Sequence, residues 1–200
     1  MVLKAIRSIV TSNFVKMAAA LGIVSGLSGA ALVYVYNYSL PKIEVNIAAD
    51  TERAIKSIFP EVLEIKPGVE KDIFEVLDTD KNILGYAFLA EGSGYQGVIK
   101  LIVGVSPDVE TMKGFEVIES QETPGLGAEI TTDKFRGQFK ALGLAHAIEY
   151  VKGQKPTMPY QIEAITGATI SSRAVVNMLN SKISRVRELL FKKAAEEQKI

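Results

Sequence analysis

The chain has 200 residues, 48% of them hydrophobic, and its 23 basic and 23 acidic side chains give a formal net charge of +0. That balance and length fit one modest globular domain plus one membrane segment rather than a nucleic-acid binder. There are no cysteines, which excludes disulfides, cysteine-ligated iron-sulfur clusters and thiol catalysis within the chain.

Residues 1–16 form a short head carrying Lys4, Arg7 and Lys16 and no acidic residue. Residues 17–38 then lack any charge, and about 22 residues of helix span roughly 33 Å, enough for a bilayer's hydrocarbon core. A transmembrane helix is predicted. Its basic flank is N-terminal, while the far side begins with Lys42 but soon meets Glu44 and Asp50, so the N-terminus is expected in the cytoplasm. Tyr34, Tyr36 and Tyr38 would form the outer interfacial belt. The competing reading is a cleaved signal peptide, but the apolar run exceeds a typical signal core of about 7–15 residues and ends in tyrosines instead of small residues. Ala18, Gly22, Gly26 and Ala30 recur every four residues and Ser25 and Gly29 add a small pair, a face that permits close packing on another membrane helix.

Residues 41–200 read as one outer domain. Asp50 is placed to cap a helix over 50–58, closed by Pro60. Runs 73–77, 83–90, 97–105 and 114–118 read as strands, with turn-forming residues at 78–82 and 91–96. The order implies an α+β fold, an antiparallel sheet with flanking helices. In Glu122-Thr123-Pro124-Gly125-Leu126-Gly127, the Pro-Gly pair suits a type II turn. Asp133 is expected to cap a helix over 133–142 with Phe135, Phe139 and Leu142 on one face, followed by a polar loop at 152–159.

The most informative string is Glu163-Ala164-Ile165-Thr166-Gly167-Ala168-Thr169-Ile170-Ser171-Ser172. A short strand, 160–165, leads into it. From Arg173 onward, Val175, Val176, Leu179, Ile183, Val186 and Leu190 recur at helical spacing, and 192–199 fades into a charged end. Gly167 and Ala168 let backbone amides approach a ligand, and Thr169, Ser171 and Ser172 stand where capping residues belong. Capping alone explains hydroxyls at such a position. A helix start of this kind is also a suitable place to hold a phosphate, through its free amides and dipole. Other chemistry has little support: His146 is the lone histidine, and neither a nucleophile elbow nor an ATP phosphate-binding loop occurs.

The string resembles the flavinylation motif of the FMN-binding subunits of Rnf and Na+-translocating NADH:quinone reductase complexes: an acidic residue, two variable residues, Ser or Thr, then Gly-Ala-Thr. Glu163 fills the position most often held by Asp. The string from Glu122 to Gly127 resembles a second motif of the same family, which lies against the flavin ring. The resemblance implies FMN joined by a phosphoester to the Thr169 hydroxyl, installed from FAD by a separate Mg2+-dependent flavin transferase. It places Thr166, Gly167, Ala168 and Ser171 around the phosphate, and Thr123, Leu126 and Gly127 near the isoalloxazine. Glu122 either joins them or pairs locally, and Tyr95 either lines the site or is an exposed hairpin residue. The short length favours the G subunit of Rnf over the longer C subunit of the quinone reductase. The implied function is electron relay in a membrane complex coupling ferredoxin:NAD+ electron transfer to Na+ or H+ movement, with the other redox subunits as partners. The remaining readings are a C-type subunit of the quinone reductase, a membrane-anchored flavin-binding sensor or assembly module, and a structural adaptor.

Overall fold

The computed structural model describes the backbone of residues 2–197 and the side chains of 13–40, 46–193, 195 and 196. It divides into two compact units, Met1–Ala48 and Ala49–Ile200. Helix α1, Val2–Ile58, makes up the described part of the first unit and supplies the opening turns of the second. Its segment Asn13–Leu40 is long and apolar enough to cross a membrane, with mean hydropathy 1.9 and no burial against other protein. The side chains of Lys4, Arg7, Lys42 and Glu44, on which the expected orientation rests, lie outside the described residues.

The predicted helix start at Asp50 is corrected. Asp50 lies inside α1, where its carboxylate accepts from Arg53 one turn on instead of capping. Lys56 reaches back to Glu52 at 2.6 Å, and these i,i+3 and i,i+4 pairs, together with Ala48 and Ala49, favour continuing the helix. It stops at Ile58, just before Phe59, whose helical conformation is disfavoured by the following Pro60.

The second unit is built on a six-stranded sheet. Strands β1 (Glu64–Pro67), β2 (Ile73–Leu77), β3 (Ile83–Ser93), β4 (Val98–Val105), β5 (Thr111–Ser120) and β6 (Leu142–Gly143) lie in sequence order, each antiparallel to its neighbour. The Asp78 carboxylate closes the β2–β3 turn by accepting from the Asp80 and Asn82 amides, both at 2.8 Å. Alternation along β4 sends Ile99, Leu101, Val103 and Val105 to one face and Ile102 to the other. The second face is covered by the end of α1 through Ala54, Ile55 and, beyond it, Phe59. Helix α3, Thr169–Glu197, covers the first with Val175, Val176, Leu179, Ile183 and Val186, each at most 5% exposed. Burying each of these aliphatic side chains stabilises the fold by about 1.5–3 kcal/mol. An α+β architecture results.

The helix expected over 133–142 breaks up. Helix α2 covers only Asp133–Arg136, a 3-10 turn follows at Gly137–Phe139, and Leu142 pairs with Met112 in β6. Gly137 weakens the helix, and Ala141 at φ 61 ends it. The apolar reading survives the change: Phe115, Phe135 and Phe139 pack edge to face at 5.0–6.4 Å, and Leu142 is buried. Strands β7 (Glu149–Val151) and β8 (Gln161–Glu163) form a separate parallel pair that leads the chain into α3.

Candidate functional site

Three segments meet at the start of α3. The first is the β3–β4 hairpin tip, closed by the Gly94 amide donating to the Gly97 carbonyl at 2.8 Å. The second follows β5, where the Leu126 amide donates to the Thr123 carbonyl at 3.2 Å across Pro124-Gly125. Gly125 has φ +75, as the third position of a type II turn demands, so the predicted turn is present. The third is 165–168, closed by Ala168 donating to the Ile165 carbonyl at 3.0 Å, with Gly167 at φ +82. Both glycines occupy backbone conformations that side chains disfavour.

Between them lies a cavity of about 410 Å³, lined by Tyr95, Glu122, Thr123, Leu126 and Gly127 on one side and by residues 167–171 on the other. That volume falls within the roughly 300–1,000 Å³ of small-molecule sites. Thr169 is the first residue of α3 and half-buried. By helix geometry the amides of Thr169, Ile170 and Ser171 have no partner within the helix, so they and the positive end of the dipole serve the cavity. Tyr95, Leu126 and Ile170 are large apolar side chains left 69%, 47% and 46% exposed around it. An apolar rim over a ring of amides suits a flat aromatic ligand carrying an anionic group.

Glu122 forms the floor and is 6% exposed. Its Oε1 accepts from the amides of Tyr95 at 2.7 Å and Gln96 at 3.0 Å, and its Oε2 accepts from the Ser171 hydroxyl at 2.5 Å. Burial alone pushes this carboxyl up. The Ser171 hydroxyl and the amides of Gln96, Tyr95 and Gly97 outweigh it and hold the group below its ordinary value. Space for this arrangement depends on Gly127, where a Cβ would stand 2.1 Å from Glu122 Oε2 and 2.7 Å from Ser171 Oγ. Thr123 adds a second tie by donating to the side-chain carbonyl of Gln96.

The structure brings together Tyr95, Glu122, Thr123, Leu126, Gly127, Gly167, Ala168, Thr169 and Ser171, and it separates Glu163 and Thr166 from them. Those two line a neighbouring cavity of about 230 Å³ with Glu129, Lys134 and Gln138. The Gln138 side chain brackets the Glu163 backbone there, accepting from its amide at 2.7 Å and donating to its carbonyl at 3.2 Å. The capping expectation is revised as well. The Ser171 hydroxyl donates a hydrogen bond to Glu122, while Ser172 donates to the Ala168 carbonyl at 3.1 Å and accepts from the Ile165 amide at 3.0 Å. Sequence reasoning missed Ile170. Its signal was an apolar residue in the first turn of α3 off the stripe that Val175, Leu179 and Ile183 set. A larger groove of about 590 Å³ runs between β3 and α3, but the Lys182 and Arg185 cations lining it are engaged by Asp72 and Glu70.

Comparison with known proteins agrees with this geometry. Residues 94–184, which include all three segments, match the family model for the FMN-binding domain. The G subunit of the ion-translocating oxidoreductase complex of Methanosarcina acetivorans is 33% identical over 88% of this chain and 96% of its own length. The G subunit of the proton-translocating ferredoxin:NAD(+) oxidoreductase complex of Clostridium ljungdahlii is 35% identical over 82% of this chain and 84% of its own. Among solved structures, the C subunit of the Na(+)-translocating NADH-quinone reductase from Parabacteroides distasonis superposes with TM-score 0.51 at 30% identity, covering 58% of this chain and 61% of that one. NqrC of Shewanella oneidensis has the same TM-score at 24% identity, over 61% and 65% of the two chains, and supports the fold alone. The matches thus span less than two thirds of either solved chain. With relatives more than 30% identical along most of their length, the chain belongs to the family of G subunits of ion-translocating oxidoreductase complexes.

Proposed function

We propose that the chain is the flavin-carrying electron relay of such a complex, with FMN attached through a phosphoester to Thr169. The observation that carries this reading is the position of Thr169: first residue of α3, facing a cavity with an apolar rim and free helix amides. The residues present fit the group. The amides of residues 169–171 would take the phosphate, and Leu126, Ile170 and Tyr95 would lie against the ring system. Bound flavin supplies reversible one- and two-electron chemistry, and the protein's part is to place it and tune it.

Attachment needs an external catalyst, because a threonine hydroxyl is a poor nucleophile without a base or metal. A flavin transferase using FAD and Mg2+ would direct Thr169 Oγ onto the flavin-side phosphorus of FAD. The new P–O bond forms as the pyrophosphate linkage breaks, AMP leaves, and the hydroxyl proton passes to a base on the transferase. Covalent attachment prevents loss of the cofactor on the outer face of the membrane, where the domain stands in this reading. The apolar segment Asn13–Leu40 would anchor the chain as a single pass with its N-terminus in the cytoplasm. Electrons would pass between centres in the neighbouring subunits of a complex that couples ferredoxin:NAD+ electron transfer to Na+ or H+ movement.

The test is in-gel flavin fluorescence after denaturation, with intact mass, for wild type and Thr169→Ala produced with a flavin transferase. Fluorescence and one added FMN-phosphoryl mass are expected in wild type and absent in the variant. An unmodified, non-fluorescent wild type, alongside a control protein that is labelled, refutes the attachment.

A further inference from the structure

We infer that Glu122 is the positioning residue of the cofactor site: it ties the hairpin tip to the first turn of α3, which carries Thr169, and sets a fixed negative charge at the cavity floor. The inference deepens the flavin reading above and rests on it.

Among the described residues, Glu122 is the one buried ionisable side chain, and Ser171, its partner, is buried with it. A buried carboxylate is costly unless its oxygens are satisfied. Here both are, and by neutral donors: the Tyr95 and Gln96 amides on Oε1 and the Ser171 hydroxyl on Oε2. Each bond reaches across the chain, joining positions 27, 26 and 49 residues apart. The Tyr95 and Gln96 bonds together hold the hairpin tip, and the Ser171 bond holds the start of α3.

Two glycines frame the group. A Cβ at Gly94 would stand 2.2 Å from Glu122 Oε1, and one at Gly127 would stand 2.1 Å from Oε2. The backbone therefore closes on the carboxylate from two sides and leaves it no room to turn away. A neutral amide of the same shape would still accept from the Tyr95 and Gln96 amides through its oxygen, and its nitrogen would donate to Ser171 Oγ where the carboxylate accepts, so the segments stay joined while the charge is removed. Because its hydrogen-bond donors are neutral, they do not cancel the carboxylate's charge, and its field reaches the cavity.

The consequence for a relay is directional. An electron entering the site leaves its donor oxidised by one and adds one negative charge beside Glu122, until a proton from solvent follows. A fixed carboxylate disfavours that gain and lowers the potential at which it occurs. Glu122 thus sets the driving force through its charge, and with Ser171 it sets the geometry.

The experiment compares full-length wild type, Glu122→Gln and Ser171→Ala in detergent, each incubated with a flavin transferase, FAD and Mg2+. Intact mass follows the loading rate, and spectroelectrochemical titration gives the midpoint potential. Glu122→Gln keeps the shape and removes the charge, so it is expected to load and to titrate at a more positive potential. Each tenfold gain in one-electron reduction corresponds to about 59 mV. Ser171→Ala keeps the charge and cuts one tie, so it is expected to load more slowly and to titrate like wild type. A loaded Glu122→Gln protein with the wild-type potential overturns the inference. If Glu122→Gln does not fold, Ser171→Ala decides: loading at the wild-type rate overturns it. Wild type that takes up no flavin beside a labelled control refutes the underlying attachment and this inference with it, an outcome distinct from failure of the variants alone.

Discussion

Gly127→Ala tests the packing behind the site. The added methyl would lie 2.1 Å from Glu122 Oε2, 2.7 Å from Ser171 Oγ and 2.9 Å from Glu122 Cβ, so the carboxylate has to move. Overpacking of this kind costs about 1–3 kcal/mol. Displacing Oε2 also breaks the 2.5 Å bond from Ser171, and a hydrogen bond to a charged group is worth about 1.5–3 kcal/mol. Counting partial relief of one effect by the other, a loss of about 2–5 kcal/mol is expected. The assay is guanidinium denaturation of the full chain in detergent, followed by far-ultraviolet circular dichroism. Gly137→Ala is the matched control, since Gly137 has φ −59 and nothing within 4 Å of an added Cβ. There the smaller unfolded-state entropy should leave stability unchanged or raise it by about 0.4–1 kcal/mol. Equal midpoints for the two variants would refute the close approach of Gly127 to the Glu122–Ser171 pair.

Other outcomes follow from the same geometry. Leu179→Ala, at a position fully buried between α3 and the sheet, should cost about 2–5 kcal/mol in the same denaturation assay. Gly167→Ala forces a side chain to φ +82, with its Cβ 3.3 Å from Leu126 Cδ2, and should cost about 1–2 kcal/mol while slowing flavin loading measured by intact mass. Because Glu122 is held below its ordinary value of 4.5, its stabilising contribution is complete above that range and is lost as pH falls through the folded value. Stability of wild type relative to Glu122→Gln, measured from neutral pH into acid, should therefore shrink only on the acid side of 4.5.

The strands β2 to β5 were legible because each combines β-branched or aromatic residues with turn chemistry at its ends, as at Asp78 to Asn82. Strand β1 was not: Glu64–Pro67 is four residues long, has two charges and a proline, and is placed by pairing with β2 and by Ile65 packing on the cluster around Ile55 and Phe59. Asp50 misled because capping residues and mid-helix ion-pair partners share one chemistry, and here Asp50 is paired with Arg53 one turn on within a helix that continues through both. At the site, glycines and hydroxyls marked the turns correctly. The separation of Glu163 from Thr169 was hidden, since the positions between them pass through a strand end, a turn with positive φ and a helix start. Glu122 was legible as part of a motif but not as a clamp, because its partners at Tyr95, Gln96 and Ser171 are distant in sequence.

The cavity takes its walls from a hairpin tip, a turn after β5 and the beginning of the last helix, so it does not exist in any short contiguous piece of the chain. A ligand that needs all three walls therefore reports on folding. The sheet must be assembled up to β5, and α3 must have docked across it, before Ser171 can meet Glu122. In the proposed flavin reading, a chain that has misassembled its sheet would lack the complete cavity, and loading would follow folding.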